Sequence, residues 1–218
     1  LFRSWWPKTL RLRLMLVMVP VISGSMITAG YFLTEAGKAA ILQEKRSNLQ
    51  GVTRLLATHL IAQGGFAALD TSQETGSASK AARIAYLNGR LAPYVDGVAA
   101  SFPGIGVGYY HRELDAIITY GPSRDYGKTV GKAIDGGHPG RIVMATGIAD
   151  VVNGRQVRGE IMNAMEPIRE NGQVVGYIWA NELLDDIDAQ VERMRQTVFA
   201  ATSLALILSL LLIYWVIT

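Results

Sequence analysis

Two long, uncharged, apolar stretches enclose the centre of this chain, at residues 14–33 and 198–218. Each has about the 20 residues that a helix needs to cross the hydrocarbon core of a bilayer. The intervening residues 35–197 are mostly polar and numerous enough to fold as a domain. We therefore expect a basic terminus at residues 1–13, transmembrane helices at residues 14–34 and 198–218, and an extramembrane domain at residues 35–197.

The basic residues before the first apolar stretch predict its orientation. Arg3, Lys8, Arg11 and Arg13 precede it with no acidic residue among them, and positive residues beside a first span stay in the cytoplasm. The other 17 of the 21 Lys and Arg residues share the central segment with 18 Asp and Glu residues. The central domain is therefore close to neutral and should lie outside, and the charge pattern does not predict a nucleic-acid partner.

A cleaved signal peptide is the alternative interpretation of the first apolar stretch. Ile27-Thr28-Ala29 would serve as its cleavage site. The stretch is long, however, contains Pro20 and Gly24, and continues into a helical pattern without a break. These features favour a membrane anchor that is retained.

A long helix is expected to continue from the first span through residues 35–63. Its apolar residues are spaced by three, four or seven positions and form one face: Leu42, Leu49, Val52, Leu56 and Leu60. This face could pack on its own domain or against a second subunit as a short coiled coil. A second helix is expected at residues 78–92, with Ala82, Ala85, Tyr86 and Gly89 on one face, and Pro93 should break or restart it.

After Pro103-Gly104 the apolar pattern changes to a period of two, which indicates strands. We expect a hairpin of residues 105–109 and 116–120, and a second hairpin of residues 160–168 and 174–181. Asn171-Gly172 between the second pair is a strong hairpin signal. A short strand at residues 128–134, a helix at 139–146 and an exit helix at 183–196 complete an α+β domain.

Several kinds of catalytic and metal site are excluded by the sequence. The chain has no cysteine, so disulfides, thiolate catalysis and zinc–thiolate sites are absent. His59, His111 and His138 lie far apart and lack metal-ligand spacing, and Gly104–Gly108 lacks the helix that a phosphate loop requires. No nucleophile–base pattern supports an extracytoplasmic enzyme. We expect no metal and no cofactor in these residues.

Tyrosines and cations concentrate around the predicted first hairpin, which is the composition of a small-molecule site. Aromatic side chains provide walls and arginine provides paired donors for a carboxylate. The residues are Tyr109, Tyr110, Tyr120, Tyr126, Arg124, Lys128, His138 and Arg141. The alternative is structural, because tyrosines in strands are often core residues and Arg124 and Lys128 could be solvated turn residues.

Extended strings of residues across this region resemble the amino-terminal part of AtoS-type membrane sensor histidine kinases. The similarity covers essentially the whole chain, is densest in residues 102–182 and is weakest in the loop of residues 70–80, and the strings that carry it include residues 102–106, 114–120, 138–141 and 176–183. It implies a PAS-like (Cache-type) extracytoplasmic domain between two membrane helices in a bacterial inner membrane. ATP and a response regulator would be bound by kinase domains outside these residues. Similar input domains also precede chemoreceptor and cyclic-nucleotide output domains.

These observations lead to a specific expectation for the ligand and its site. A small anionic metabolite, a short carboxylic or keto acid, should bind on the sheet face away from the long helix. Arg141 and His138 would neutralise it, Tyr110 and Tyr120 would form walls, and Asn163 would orient it. We further expect contact with membrane lipid and a homodimer through the membrane helices and the long helix. A domain that docks a protein partner and needs no small ligand is the alternative.

Overall fold

The computed structural model describes residues 9–71 and 79–217, so the first eight residues and much of the predicted 70–80 loop lie outside the described residues. Its helices are α1 (Leu10–Ala62), α2 (Gly65–Thr71), α3 (Lys80–Ser101), α4 (Ser123–Tyr126), α5 (Pro139–Thr146) and α6 (Leu184–Ile217), with a 3₁₀ turn at Gly127–Thr129. Its strands are β1 (Ile105–His111), β2 (Ala116–Gly121), β3 (Asp150–Gln156), β4 (Gly159–Glu170) and β5 (Gln173–Leu183).

The chain divides into two compact units, one of residues 9–42 and 188–217 and one of residues 43–187. The first unit consists of parts of α1 and α6, the two described helices that are long and apolar enough to cross a membrane by length and composition. Glycines allow these helices to approach closely. A Cβ on Gly30 would lie 3.2 Å from Thr202 Oγ1, and a Cβ on Gly37 would lie 2.9 Å from Met194 Sδ.

The second unit contains the sheet, and the predicted apolar face of α1 is buried within it. Leu49, Val52, Leu56 and Leu60 are all at most 2% exposed. The Tyr109 hydroxyl of β1 donates a hydrogen bond of 2.7 Å to the Leu56 carbonyl. This face therefore packs on its own domain, while the coiled-coil contact with a second subunit stays a prediction.

Helix α3 differs from the expected second helix in both its length and its buried face. It continues through Pro93 to Ser101, and Pro93 is exposed. The buried residues are Ile84, Leu87, Leu91, Val95, Val98 and Ala99, whereas the predicted Ala82, Ala85 and Gly89 are exposed. Large aliphatic side chains bury more apolar area than alanine, and this gain decides which face turns inward.

All neighbouring strands of the sheet are antiparallel, in the order β2-β1-β5-β4-β3. Both predicted hairpins are present, and Asn171 and Gly172 adopt the positive φ values, 48° and 80°, that a tight hairpin turn requires. Edge strand β3 was not predicted, because its sequence is polar and no residue of it is buried. The predicted strand at residues 128–134 is wrong. Gly131 turns the chain at a φ of 84°, and the backbone hydrogen bonds between this segment and β2 in the described structure are limited to those of Ile117 with Gly131 and Lys132.

Candidate ligand-binding cavity

A cavity of about 420 Å³ lies on the sheet face opposite α1, the face on which the sequence predicts the ligand. Successive side chains along each strand point to opposite faces of the sheet. Tyr109 and Glu166 point towards α1, where Tyr109 bonds to Leu56 and Glu166 bonds to Thr53. Their strand neighbours Tyr110 and Met165 point the other way and belong to a buried cluster with Val143 and Met144 of α5. The cavity is lined by Ile117, Tyr120, Thr129, Lys132, Ala133, Ile134, Asp135, His138, Arg155, Gln156, Val157, Asn163, Tyr177, Trp179 and Asn181.

Three aromatic side chains form the inner wall of the cavity. The Tyr120 ring meets the Trp179 ring edge-on at a centroid distance of 5.3 Å, and the Tyr177 ring lies 5.7 Å from that of Trp179. Burial raises the pKa of both Tyr120 and Tyr177. Both phenols are therefore neutral at physiological pH, and the wall combines aromatic surface with two hydroxyl groups that can form hydrogen bonds.

A chain of polar groups extends from the start of α5 to the middle of β4. His138 caps α5, and its Nδ1 accepts a hydrogen bond of 3.0 Å from the Gly140 amide. Burial lowers the pKa of His138, although a hydrogen bond with Gln156 acts in the opposite direction. Asn163 Nδ2 donates to Gln156 Oε1 at 3.2 Å. Asn163 is 1% exposed, and its Oδ1 has no hydrogen-bond partner among the described residues.

Two cations, Lys132 and Arg155, belong to the lining, and the sequence interpretation did not include them. Both are exposed, and neither forms an ion pair within the part of the chain that the structure describes. Asp135 is the one acidic residue in the lining. The cavity therefore has a net positive lining, which favours an anion. Arg155 was overlooked because its strand, β3, was not predicted.

Of the five predicted site residues, Tyr120, His138 and Asn163 line the cavity together, whereas Tyr110 and Arg141 lie beside it. Arg141 Nη1 is 2.7 Å from Asp115 Oδ1, and its Nη2 donates to the Ile134 carbonyl at 2.8 Å. The Tyr110 hydroxyl also donates to Asp115, and burial raises the pKa of Tyr110 to about 12. Arg141 is thus already paired and supports the wall at Ile134.

Arg158 joins four parts of the domain next to the cavity. Its Nη1 donates to Asn181 Oδ1 at 2.9 Å, and its Nη2 donates to the Gly104 carbonyl at 2.9 Å. Its Nε donates to the Tyr126 hydroxyl at 3.2 Å. Gly106 leaves room for this contact, since a Cβ there would lie 2.7 Å from Asn181 Oδ1. The β3–β4 turn is thereby tied to β1 and β5, and Asn181 is held in the cavity wall.

The lining combines aromatic rings, side-chain amides and cations, which is the composition of a small-molecule site. Among the described residues, no group of three or more His, Cys, Asp or Glu side chains could hold a metal ion. A pattern along the second predicted hairpin could have identified the site from the sequence. Tyr177, Trp179 and Asn181 are spaced by two residues and therefore share one face of the sheet, and Asn163 on the neighbouring strand pairs with Asn181.

Comparisons with known proteins agree on a family. Residues 11–189 match the model of the AtoS N-terminal domain. The chain is 40% identical over 213 residues to the signal transduction histidine-protein kinase AtoS of Escherichia coli strain K12. The match covers 97% of this chain and 34% of that protein, so the chain spans about a third of the length of this relative.

Solved sensory domains have the same fold. The domain of the Campylobacter jejuni chemoreceptor Tlp3 with isoleucine bound superimposes with a TM-score of 0.53 at 14% identity, covering 79% of this chain and 66% of that one. The 4-methylisoleucine complex gives a TM-score of 0.55 at 12% identity, over 76% and 62% of the two chains. These similarities confirm the predicted α+β, PAS-like (Cache-type) sensor fold.

Proposed function

Because the chain belongs to the AtoS N-terminal domain family, we propose that it is the sensing and transmembrane part of a sensor histidine kinase. Membership of this family and the two long apolar helices indicate an inner-membrane protein. That both helices cross the membrane, with residues 35–197 outside and the basic residues inside, is part of the proposal. So are ATP-dependent kinase activity and a response-regulator partner, because the chain matches only 34% of the kinase.

The ligand that we propose is a small anionic metabolite with a carboxylate, bound in the cavity opposite α1. The observation that carries this proposal is the combination of Asn163 and two cations in one lining. Asn163 is buried with an unpartnered Oδ1, and leaving a buried polar atom unpaired is costly unless something occupies the site. Lys132 and Arg155 supply positive charge, and neither forms an ion pair within the described residues.

The cavity volume and its walls are consistent with a small molecule. About 420 Å³ is within the range of small-molecule pockets. Trp179 and Tyr120 would cover the carbon skeleton, while the guanidinium of Arg155 would pair with the carboxylate through two parallel hydrogen bonds. Arg141, paired with Asp115, would act through the wall rather than through direct contact.

A route for the signal follows from the continuity of β5 and α6. Strand β5 contributes Tyr177, Trp179 and Asn181 to the cavity and ends at Leu183, and α6 begins at the next residue. A ligand that binds two states of the domain with different affinity shifts the balance between them. We propose that closure around the ligand displaces β5, and that α6 carries the displacement into the second membrane helix of a homodimer.

The experiment that tests this function is a thermal-shift screen of the 218-residue chain in lipid nanodiscs against short carboxylic and keto acids. Free ligand at a hundredfold excess over its Kd stabilises the folded state by about 2.7 kcal/mol. We expect a selective shift that is lost in Arg155→Gln. Arg124→Gln is the matched control, because the Arg124 side chain is 89% exposed and does not line the cavity.

Two results would contradict the proposal. A panel without any shift, on protein shown by circular dichroism to be folded, would favour a domain that docks a protein partner. If Arg155→Gln shows the same thermal shift and the same affinity as wild type, the carboxylate does not bind to Arg155.

A further inference from the structure

We propose that the ligand of this cavity carries a hydrogen-bond donor, a hydroxyl or an ammonium group, in addition to its carboxylate. This inference rests on the proposed function, because it concerns the same cavity. It is based on the direction of the hydrogen bonds that lead to Asn163, which leave its buried Oδ1 acceptor without a partner among the described residues.

The donor-to-acceptor direction of these hydrogen bonds is set at one end by a backbone amide. The Gly140 N–H can only donate, so His138 Nδ1 must be the unprotonated nitrogen that accepts it. In the neutral imidazole the proton is then on Nε2, which can only donate. Gln156 lies in the same lining and acts to raise the pKa of His138, as an amide oxygen facing the ring would.

The oxygen of Gln156 determines the orientation of Asn163. Gln156 Oε1 accepts the bond of 3.2 Å from Asn163, so the Asn163 atom that faces it must be the NH₂ group. Amide oxygen and nitrogen atoms are otherwise difficult to distinguish, and the hydrogen-bond network is what assigns them. The remaining Asn163 atom is Oδ1, an acceptor that has no partner among the described residues.

A carboxylate alone cannot satisfy Asn163 Oδ1, because an ionised carboxylate has only acceptor atoms. A plain acid would leave Oδ1 unpaired in the complex, and a keto acid would add a further acceptor. A hydroxy acid or an amino acid places a donor beside the carboxylate. The carboxylate of Asp135 adds a second acceptor to the lining, opposite in charge to Lys132 and Arg155. The lining therefore matches a ligand with an anionic group and a donor group.

The test compares four acids that share one carbon skeleton: pentanoate, 2-oxopentanoate, 2-hydroxypentanoate and 2-aminopentanoate. Affinity for the chain in nanodiscs is measured by calorimetry. We expect the hydroxy or the amino acid to bind at least about tenfold more tightly than pentanoate and the oxo acid, because a site built to pair a donor discriminates against analogues that lack it. The relative affinity of the hydroxy and the amino acid then identifies the donor.

Variants locate the preference at Asn163. In Asn163→Leu, which has a similar size and no acceptor, the ratio between hydroxy or amino acid and pentanoate should fall to about one. In Gln156→Leu, Asn163 loses the acceptor that orients it, and the same ratio should fall although Asn163 is still present. Asn153→Leu on exposed β3 is the matched control and should keep the wild-type ratio.

The possible outcomes separate this inference from the proposed function. If pentanoate or the oxo acid binds as tightly as the hydroxy and amino acids, the donor requirement is wrong while a carboxylate sensor remains. If none of the four binds, both ideas are contradicted for ligands of this size. A donor preference that is unchanged in folded Asn163→Leu would also overturn the inference, and the wild-type series does not depend on that variant.

Discussion

Lys45 Nζ lies 2.7 Å from Glu182 Oε1, and this ion pair connects α1 to the end of β5. The two side chains are 15% and 7% exposed, and Glu182 Oε2 has no hydrogen-bond partner among the described residues. Glu182 precedes the first residue of α6 by two positions. The pair therefore holds β5, the strand that leads into α6, against α1.

Removing one partner of this pair should destabilise the domain strongly. In Lys45→Met the methylenes are kept but the Glu182 carboxylate is left buried without its cation, which typically costs about 3–5 kcal/mol. We expect the thermal midpoint in nanodiscs, followed by circular dichroism, to fall by roughly 10 °C. The double variant Lys45→Met/Glu182→Leu should recover most of the loss. A midpoint in Lys45→Met within experimental error of wild type would show that the pair contributes little.

Two glycines should respond to alanine in opposite directions. A Cβ on Gly108 in β1 would overlap the Thr119 carbonyl oxygen and the Trp179 ring, so Gly108→Ala should destabilise the domain by about 2 kcal/mol or more. A Cβ on Gly97 in α3 would meet no atom within 4 Å. Gly97→Ala should stabilise the helix by roughly 0.5–1 kcal/mol. Urea unfolding of both variants measures the difference, and equal effects would contradict the packing at Gly108.

Stability should fall as the solution becomes mildly acidic, in part because of His138. Burial lowers the pKa of His138 below its ordinary value of 6.5, so the unfolded state takes up protons that the folded state does not. This contribution is complete above pH 6.5 and is lost as the pH falls from there towards the folded pKa. His138→Asn keeps a side chain that can cap α5 and removes the titration.

The measurement is the difference in thermal midpoint between about pH 7.5 and about pH 5, for wild type and His138→Asn. We expect a smaller difference in the variant. Burial also lowers the pKa of His111, so some dependence should remain. A pH dependence that is equal in the two proteins would assign no role to His138.

The absence of cysteine makes the membrane topology testable with single substitutions. Gly136→Cys lies in an exposed turn with open space around it, and Thr9→Cys lies just before α1. A membrane-impermeant maleimide should label Gly136→Cys in whole cells, and should label Thr9→Cys only after the cells are broken. Labelling of Thr9→Cys in whole cells would reverse the orientation. Loss of the first span from the mature protein would indicate a signal peptide.

Local patterns were sufficient to predict the elements whose structure depends on neighbouring residues. The Asn171-Gly172 turn follows from the ease with which both residues adopt positive φ, and helix α5 follows from Pro139 at its first turn. The apolar face of α1 follows from the helical period of about 3.6 residues, which places residues three or four positions apart on the same side. Edge strand β3 was not predicted, because it is identified by its pairing with β4 and not by an apolar pattern of its own.

Which residues belong to the candidate site depends on distances between residues, and sequence patterns do not give these distances. His138 and Asn163 were predicted together and line one cavity, whereas Arg141 is drawn to Asp115 and Arg155 takes a place in the lining. An arginine can extend in several directions, and which carboxylate it meets depends on the packing of α5 against the sheet.

The sequence by itself determined two membrane-length helices, a sensor domain between them and a family, since length, hydropathy and extended identity are properties of the chain. Only the tertiary structure decided that Asn163 presents an unpaired oxygen, that Arg141 is already neutralised, and that Lys45 meets Glu182. The physical reason is that hydrogen bonds and ion pairs act over a few ångströms between residues far apart in the chain. Their partners are therefore set by how the elements pack.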